Sequence, residues 1–448
     1  MKTCAIISEY NPFHNGHFYQ FNQIKKRTKA DFILVVMSGN FVQRGEPAII
    51  NKWSRAEMAL SAGADLVIEL PFVFATQDAN GFALGGISLI NSLNVVNYLS
   101  FGCENNDENM LSSIGRFLTI ENNEFKNLLR SNSKKGFGYP KCRALALCEF
   151  HKSFGINGLI PNSPLNLQEA LSSPNNILAI EYIKHLIKLK SAILPTPIKR
   201  VGAAYHQETI QNSISSATSI RKAIFQETGY SNNIEQISSL KIKSSMPFSS
   251  FQILNKELAS GRAPVSLERF TQYILGMLRH MPKEDIYNIH GVNEGLENRI
   301  KKAALKSTDI NTLLNSIKTK RYTLTKIKRI LLHSMTRLSK EDVLLFNTIG
   351  PMYVRVIGFS KKGKTLLRTI KRKSSLPIIT KLSNFLRNLN SEKPLHYEKL
   401  IKMIHYDILS TDLYNLGYKS VEARIARTDF TSKLIIEDDR DLHHQHHL

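Results

Sequence analysis

The chain has 448 residues, 42% of them apolar and 22% charged, an ordinary globular composition that suits two or three domains. Its net charge of +23 is unevenly placed: residues 1–110 hold 8 Lys/Arg and 10 Asp/Glu, whereas residues 301–380 hold 19 and 3. Such a field attracts a polyanion, either nucleic acid or an anionic membrane surface.

The first apolar stretch, Cys4–Ile7, is too short for a secretory signal, and it predicts a buried strand instead. A turn over Asn11–Gly16 and a helix from about His17 to Lys26 follow. Phe32–Met37 predicts a second strand, Lys52–Ala62 a helix and Asp65–Leu70 a third strand. The window Asp65–Ala75 is the most apolar in the chain, but Asp65, Glu69 and Pro71 interrupt it. No transmembrane span is therefore expected, and the cytoplasm is the expected compartment. Phe82–Leu93 reads as a helix and Tyr98–Phe101 as a fourth strand ending at Gly102. Strands alternating with helices imply an α/β fold with parallel pairing.

Residues 105–160 are mostly helical and polar-interrupted, as expected of an insertion. A helix opens at Ser173-Pro174-Asn175, with Ser as N-cap and Pro at the first helical position, and runs to about Lys190. A short strand is predicted near Ile198–Val201, then a loop, then a helix over Ser215–Phe225. From about residue 235 helix-period segments take over, at 266–280, 294–306, 309–318 and 323–338, with Tyr353–Phe359 as one late strand. The four cysteines at 4, 103, 142 and 148 match no zinc spacing and read as reduced thiols in or near the core. His443, His444, His446 and His447 read as a disordered end.

Chemistry concentrates at Glu9-Tyr10-Asn11-Pro12-Phe13-His14-Asn15-Gly16-His17, directly after the first strand and at the opening of a helix. An open α/β sheet places its ligand there, beyond the carboxyl ends of its strands. Free N–H groups at the helix start suit phosphate, and Gly16 lets the backbone approach a ligand closely. His14 and His17, three apart, can point the same way and donate to charge that develops as pyrophosphate leaves. A second element, Ile214-Ser215-Ser216-Ala217-Thr218-Ser219-Ile220-Arg221, puts Ser216 and Thr218 hydroxyls at a helix start with Arg221 to neutralise phosphate.

Pro-Phe-His-x-Gly-His after strand one resembles the HxGH signature of the nucleotidyltransferase superfamily, and Ile214–Arg221 resembles its ISSTxIR segment with one extra residue. Further stretches are Met37–Pro47, Lys52-Trp53, Glu69-Leu70-Pro71, Phe101–Glu104, Pro174–Leu178, Ile198–Arg200, Arg321–Thr323, Tyr353–Phe359 and Thr411–Tyr414. Together they are similar to the bacterial tRNA(Met) cytidine acetate ligase family over essentially the whole chain. The resemblance implies a Rossmann-like, parallel-sheet nucleotidyltransferase core at 1–230, with a helical insertion at about 105–170. A mainly helical, basic, tRNA-binding region would occupy 231–448. It implies an enzyme that activates acetate with ATP and acetylates the wobble cytidine of elongator tRNA(Met). Its ATP contacts map onto Ile7, Ser8, Glu9, Tyr10, Asn11, Pro12, Phe13, His14, Asn15, Gly16, His17, Phe18, Tyr19 and Gln20, then Gly102, Asn175 and Arg200. His14, His17 and Arg221 are the expected catalytic groups, and Mg²⁺ is expected on the triphosphate with no protein ligand to name.

Two basic clusters are the candidates for the RNA surface. Lys326 and Arg329 belong to one, and Lys361, Lys362, Lys364 and Arg372 to the other. A membrane partner fits less well, because these segments lack an aromatic apolar face. Two other readings compete: a small-molecule adenylyltransferase of the same superfamily, and a non-catalytic RNA-binding protein on a nucleotide fold.

Overall fold

Apolar runs too short for helices become the strands of one sheet. β1 (Thr3–Ser8), β2 (Phe32–Ser38), β5 (Leu66–Leu70), β6 (Tyr98–Cys103) and β7 (Leu194–Lys199) pair in parallel in the order β5-β2-β1-β6-β7. The structure, a computed structural model, describes residues 1–104, 108–120, 122–158, 167–168, 171, 173–200, 214–228, 237–293, 295–392 and 396–437. The histidine-rich tail lies outside them. All seven residues of β2 are buried, as a strand covered on both faces requires. Alternate side chains serve opposite faces: Ala5, Ile7, Leu34 and Val36 enter one core, and Cys4, Ile6, Ile33 and Val35 the other. The result is a helix–sheet–helix sandwich.

Strand order reverses between β1 and β6, which are paired from Cys4 opposite Tyr98 to Ile6 opposite Ser100. β6 is therefore the neighbour of β1, and a crevice opens where the chain diverges to either side. α1 (Asn15–Thr28) leaves β1 at that point, and α2 (Lys52–Ser61) links a small hairpin to β5. The hairpin itself, β3 (Phe41–Val42) and β4 (Glu46–Pro47), is too short to carry a sequence signal. α3 (Phe72–Ala75) and α4 (Ala79–Ser92) follow β5, and the segment expected to be an insertion contains α5 (Glu108–Phe117), α6 (Asn123–Lys134) and α7 (Tyr139–Phe154). Helix Pro174–Lys188 begins with proline as expected, but the Ser173 hydroxyl makes no capping bond. All four cysteines are unpaired, and three of them are buried.

Two expectations need correction. The strand expected near Ile198–Val201 starts earlier, at Leu194, in a Leu-Pro-Thr-Pro run that reads as a breaker. β7 is an edge strand, Leu194 N–H donates to Asn97 O, and alternation turns Pro195 and Pro197 toward the open side. A residue without an N–H is tolerated there. The segment 266–280 is likewise not one helix: a 3₁₀ turn over Leu267–Phe270 precedes the α-helix Thr271–His280.

The late strand joins the first sheet. β8 (Val354–Ser360) lies antiparallel to β5, with β9 (Ile378–Ile379) and β10 (Ile435–Glu437) beside it. One continuous hydrophobic core runs from Ala5 to Tyr418, so helices of the basic half pack onto one face of the parallel sheet. Among the described residues no helix is long and apolar enough to cross a membrane.

Buried charge holds β8 in place. Lys52, with no exposed side-chain surface, lies 2.8 Å from both Glu69 and Asp429. Arg355 from β8 reaches the same two carboxylates, at 3.4 and 2.7 Å. Burial works against the Arg355 charge, but Asp429 and Glu69 outweigh it and raise its pKa. Asp407 completes the cluster, accepting from Phe72 N–H at 2.7 Å and from the Tyr353 hydroxyl; burial and the nearby Glu69 push its carboxyl pKa up. The expected cost of removing one partner follows. Lys52→Met leaves Glu69 and Asp429 short of positive charge and lowers the unfolding free energy by about 3–5 kcal/mol. Urea denaturation measures it, and a loss below about 1 kcal/mol would contradict the assignment.

Candidate active site at the carboxyl ends of the strands

His14 is the N-cap of α1, in extended conformation, and His17 is three residues into the helix. Their bonding is reciprocal. Gly16 N–H donates to His14 Nδ1 at 3.0 Å, and His14 N–H donates to His17 Nδ1 at 3.2 Å. The two rings stack with centroids 3.8 Å apart. Because each Nδ1 accepts, the bonding network assigns each neutral ring's proton to Nε2. Burial, followed by the positive charges of Arg200 and Arg221, pushes the His14 pKa down to about 3. Burial, His14 and Arg200 hold His17 well below its ordinary value. The site thus presents two neutral N–H donors, prepared before any anion arrives.

The neighbouring ring also requires Gly16: a Cβ there would lie 2.8 Å from His14 Cε1. The free N–H groups expected at the helix start are also engaged. Asn15 N–H donates to Ser245 O at 3.0 Å, Gly16 N–H to the His14 ring and His17 N–H to His14 O at 2.8 Å. Side chains and the field of the helix end are what this helix start still offers to phosphate.

A cleft opens above β1 and β6. Of the expected residues, Ile7, Ser8, His14, Gly16, His17, Tyr19, Gln20, Gly102, Asn175 and Arg200 line it. Gln20 of α1 donates to the Ser100 hydroxyl of β6 at 3.2 Å. The others support these residues from behind. Tyr10 and Phe13 are core residues whose rings flank His17, at 4.8 and 5.4 Å between centroids. Pro12 is buried, Phe18 packs on the same core, and Asn15 also bonds Ser244 O at 2.8 Å. Glu9 accepts from Gln43 N–H and Asn11 from Ile49 N–H, both at 2.9 Å. Arg55, wholly buried, gathers the carbonyls of Glu9, Ser38, Gly39 and Ile50 and so fixes how the chain leaves β1 and β2.

The second element divides. Ile214 and Ser215 line the cleft. Ser216 accepts from Ser219 N–H at 3.1 Å, capping helix Ala217–Thr228. Arg221 donates to Asn11 O at 2.8 Å and to Thr218 Oγ1 at 3.4 Å, and Arg44 reaches Thr218 at 3.2 Å. Arg221 therefore stands behind the His14 loop, close enough for its charge to act on His14.

Glu104 was not among the expected site residues. Its carboxylate accepts from Asn175 Nδ2 and lies 3.8 Å from Arg200 Nε, while its N–H donates to Asn176 at 2.9 Å. It joins β6, helix Pro174–Lys188 and the end of β7 at the rim of the cleft. The stretch Phe101–Glu104 contained it, but the pairing is made by residues more than seventy positions apart.

The sequence profile of the HIGH nucleotidyl transferase family matches residues 1–429. The tRNA(Met) cytidine acetate ligase of Acetivibrio thermocellus is 43% identical over 97% of this chain and all of its own length. That of Thermoanaerobacter sp. is 42% identical over the same shares. The chain belongs to the tRNA(Met) cytidine acetate ligase family. The crystal structure of Thermotoga maritima TmcAL bound with alpha-thio ATP is similar with a TM-score of 0.88, 36% identity and coverage of 98% of this chain and 100% of that one. Its apo form gives 0.90 and 37%, with the same coverage.

The two basic clusters lie at opposite ends of the sheet. Arg329 donates to Gln43 O, and Lys328 pairs with Glu46, in the hairpin that follows the carboxyl end of β2. Gly45 is needed there, because a Cβ would sit 2.4 Å from Arg329 N and its φ is +76°. Lys361, Lys362 and Lys364 follow the end of antiparallel β8, beside the amino ends of the parallel strands. Lys362 bonds Asp31 O just before β2. A strand's length, roughly 20 Å, separates that edge from the cleft. Arg372 is exposed near the end of helix Gly363–Lys373.

Two measurements examine the histidine pair. The depressed His14 pKa means that its ring in the free protein stays neutral as pH falls from 7.5 to 5; ¹⁵N-resolved NMR checks this, and a midpoint near the ordinary 6.5 would contradict it. Gly16→Ala displaces the His14 ring and weakens ATP binding about tenfold or more in calorimetry. Unchanged affinity would mean that this ring does not touch the nucleotide.

Proposed function

We propose that this protein is an ATP-dependent, AMP-forming ligase that acetylates the wobble cytidine of elongator tRNA(Met) to N(4)-acetylcytidine. The observation that carries the reading is the pair of neutral, Nε2-protonated imidazoles at the strand-order reversal, beside the guanidinium of Arg200. An acetate oxygen attacks the α-phosphorus of ATP, and the bond to the pyrophosphate oxygen breaks. His14 and His17 donate to the phosphate oxygens on which charge grows, with Arg221 adding positive potential from behind. The cytidine N4 then attacks the acetyl carbon of acetyl-adenylate, AMP leaves, and N4 gives up a proton.

This order of events needs no acyl-enzyme. Burial pushes the thiol of Cys4 up to about 12 and that of Cys103 up to about 11, which leaves neither a useful nucleophile at neutral pH. Mg²⁺ belongs to the reading as a companion of the triphosphate. Among the described residues no group of three or more His, Cys, Asp or Glu gathers to hold it, and no step is assigned to it. Residues 1–230 form the catalytic unit in this reading, and 231–448 the RNA-binding region. Lys326, Arg329, Lys361, Lys362, Lys364 and Arg372 supply positive potential for the tRNA, and the cytoplasm is where the substrates meet.

A small-molecule adenylyltransferase shares the nucleotide chemistry but gives the basic half no task. Purified protein with ATP, labelled acetate and total tRNA separates the readings. Label entering tRNA only when ATP is present is the expected result; ATP–pyrophosphate exchange that ignores acetate would overturn it. His17→Ala lowers acetate-dependent exchange by about a hundredfold or more and leaves tRNA affinity within about twofold. A large loss of tRNA affinity would contradict the separation of the two binding surfaces.

A further inference from the structure

A groove of about 590 Å³ separates the helical insertion from helix Leu324–Thr336. Arg130, Phe137 and Tyr139 line one side, and Arg321, Tyr322 and Lys326 the other. It lies at the same end of the sheet as the nucleotide cleft. Its floor includes Asp78, the N-cap of α4 beyond the carboxyl end of β5, and Arg329, which is bonded to the hairpin beyond β2.

Two properties of this groove point to the same class of ligand. Its cations are crowded: burial, followed by the charges of Arg329 and Arg321, lowers the pKa of Lys326, with Asp78 the carboxylate that opposes them. An entering polyanion relieves that repulsion. Its rings also reach the surface. Tyr139 is 58% exposed. Tyr322 is half-buried with Lys326 5.0 Å and Arg321 5.9 Å from its centroid, so stacking surface and positive charge coincide. Aromatic faces beside cations suit unpaired bases, whereas a duplex shows its flat base surfaces only at its ends.

We propose that this groove takes up single-stranded RNA, with Tyr139 and Tyr322 stacking on bases and Arg130, Arg321 and Lys326 on the phosphates between them. Resting on the reading of the protein as a tRNA ligase, the occupant is the unpaired anticodon loop that carries the target cytidine. The Lys361–Lys364 patch, at the far end of the sheet, attracts the tRNA without choosing between paired and unpaired RNA.

The test is fluorescence anisotropy on the full chain, with a labelled RNA hairpin whose loop is unpaired and a continuous duplex of the same length. Tyr139→Leu weakens hairpin binding about tenfold and leaves duplex binding unchanged, while Tyr139→Phe binds like the unaltered protein. Arg321→Gln with Lys326→Gln lowers the slope of log affinity against log salt by about one unit or more. Replacing Lys361, Lys362 and Lys364 by Ala weakens both RNAs alike. Equal hairpin affinity for Tyr139→Leu and the unaltered protein overturns the groove, as does competition by polyglutamate that the Tyr139 change leaves untouched. Failure of the unaltered protein to bind any RNA overturns the ligase reading as well, which separates the two failures.

Discussion

Lys52 carries its ammonium group to a place with no solvent contact, and the structure is arranged so that the charge is answered there. Glu69 comes from the parallel sheet, Asp429 from the end of the described chain, and Arg355 from the strand between them. A buried network of this kind contributes modest net stability, because desolvation cancels much of the attraction. It is demanding about geometry, however, since a shifted register leaves a charge unpaired in the core. Pairing β8 against β5 in the observed register brings all four charges together, although Arg355 Nη1 and Asp429 Oδ2 are left without a hydrogen-bond partner among the described residues. That pairing carries the basic helical half onto the face of the nucleotide-binding sheet.

The same currency, burial of polar groups with their partners supplied, operates at the cleft. His14 and His17 lose their protons to burial, and backbone N–H groups occupy their Nδ1 atoms. What is left is a pair of donors aimed by the fold. A helix start with free N–H groups would also bind phosphate, but here those groups are spent holding the rings and anchoring the loop to Ser245. At this helix start the groups left to meet an anion are side chains. Arg55 sets the frame for this by tying the ends of β1 and β2 together through four carbonyls.

Placement on the sheet also sorts the positive charge. Cations near Arg329 share an end with the cleft and stand among aromatic rings, whereas those near Lys362 stand at the other end. Both attract a polyanion over a Debye length of about 8–10 Å, but only the first set lies at the cleft's end of the sheet. A count of lysines along the chain treats the two sets as equals.

Much of this was legible in the residues. Apolar runs such as Phe32–Ser38 marked the buried parallel strands, and the histidine motif after the first strand marked the ligand end of the sheet. The asymmetry between residues 1–110 and 301–380 marked where positive potential gathers. These signals are local: a strand covered on both faces has to be apolar along its length, and a motif is a fixed spacing in one turn. The edge strand at Pro195 and Pro197, the antiparallel entry of β8, the holding of Glu104 and the ring packed over Gly16 had no such mark. Each depends on what a distant segment brings alongside, and no periodicity records that. The sequence by itself determined which strands are buried and at which end of the sheet a ligand is expected. Only the tertiary structure decided which N–H groups at the helix start are already engaged, and which of the two basic clusters shares the cleft's end of the sheet.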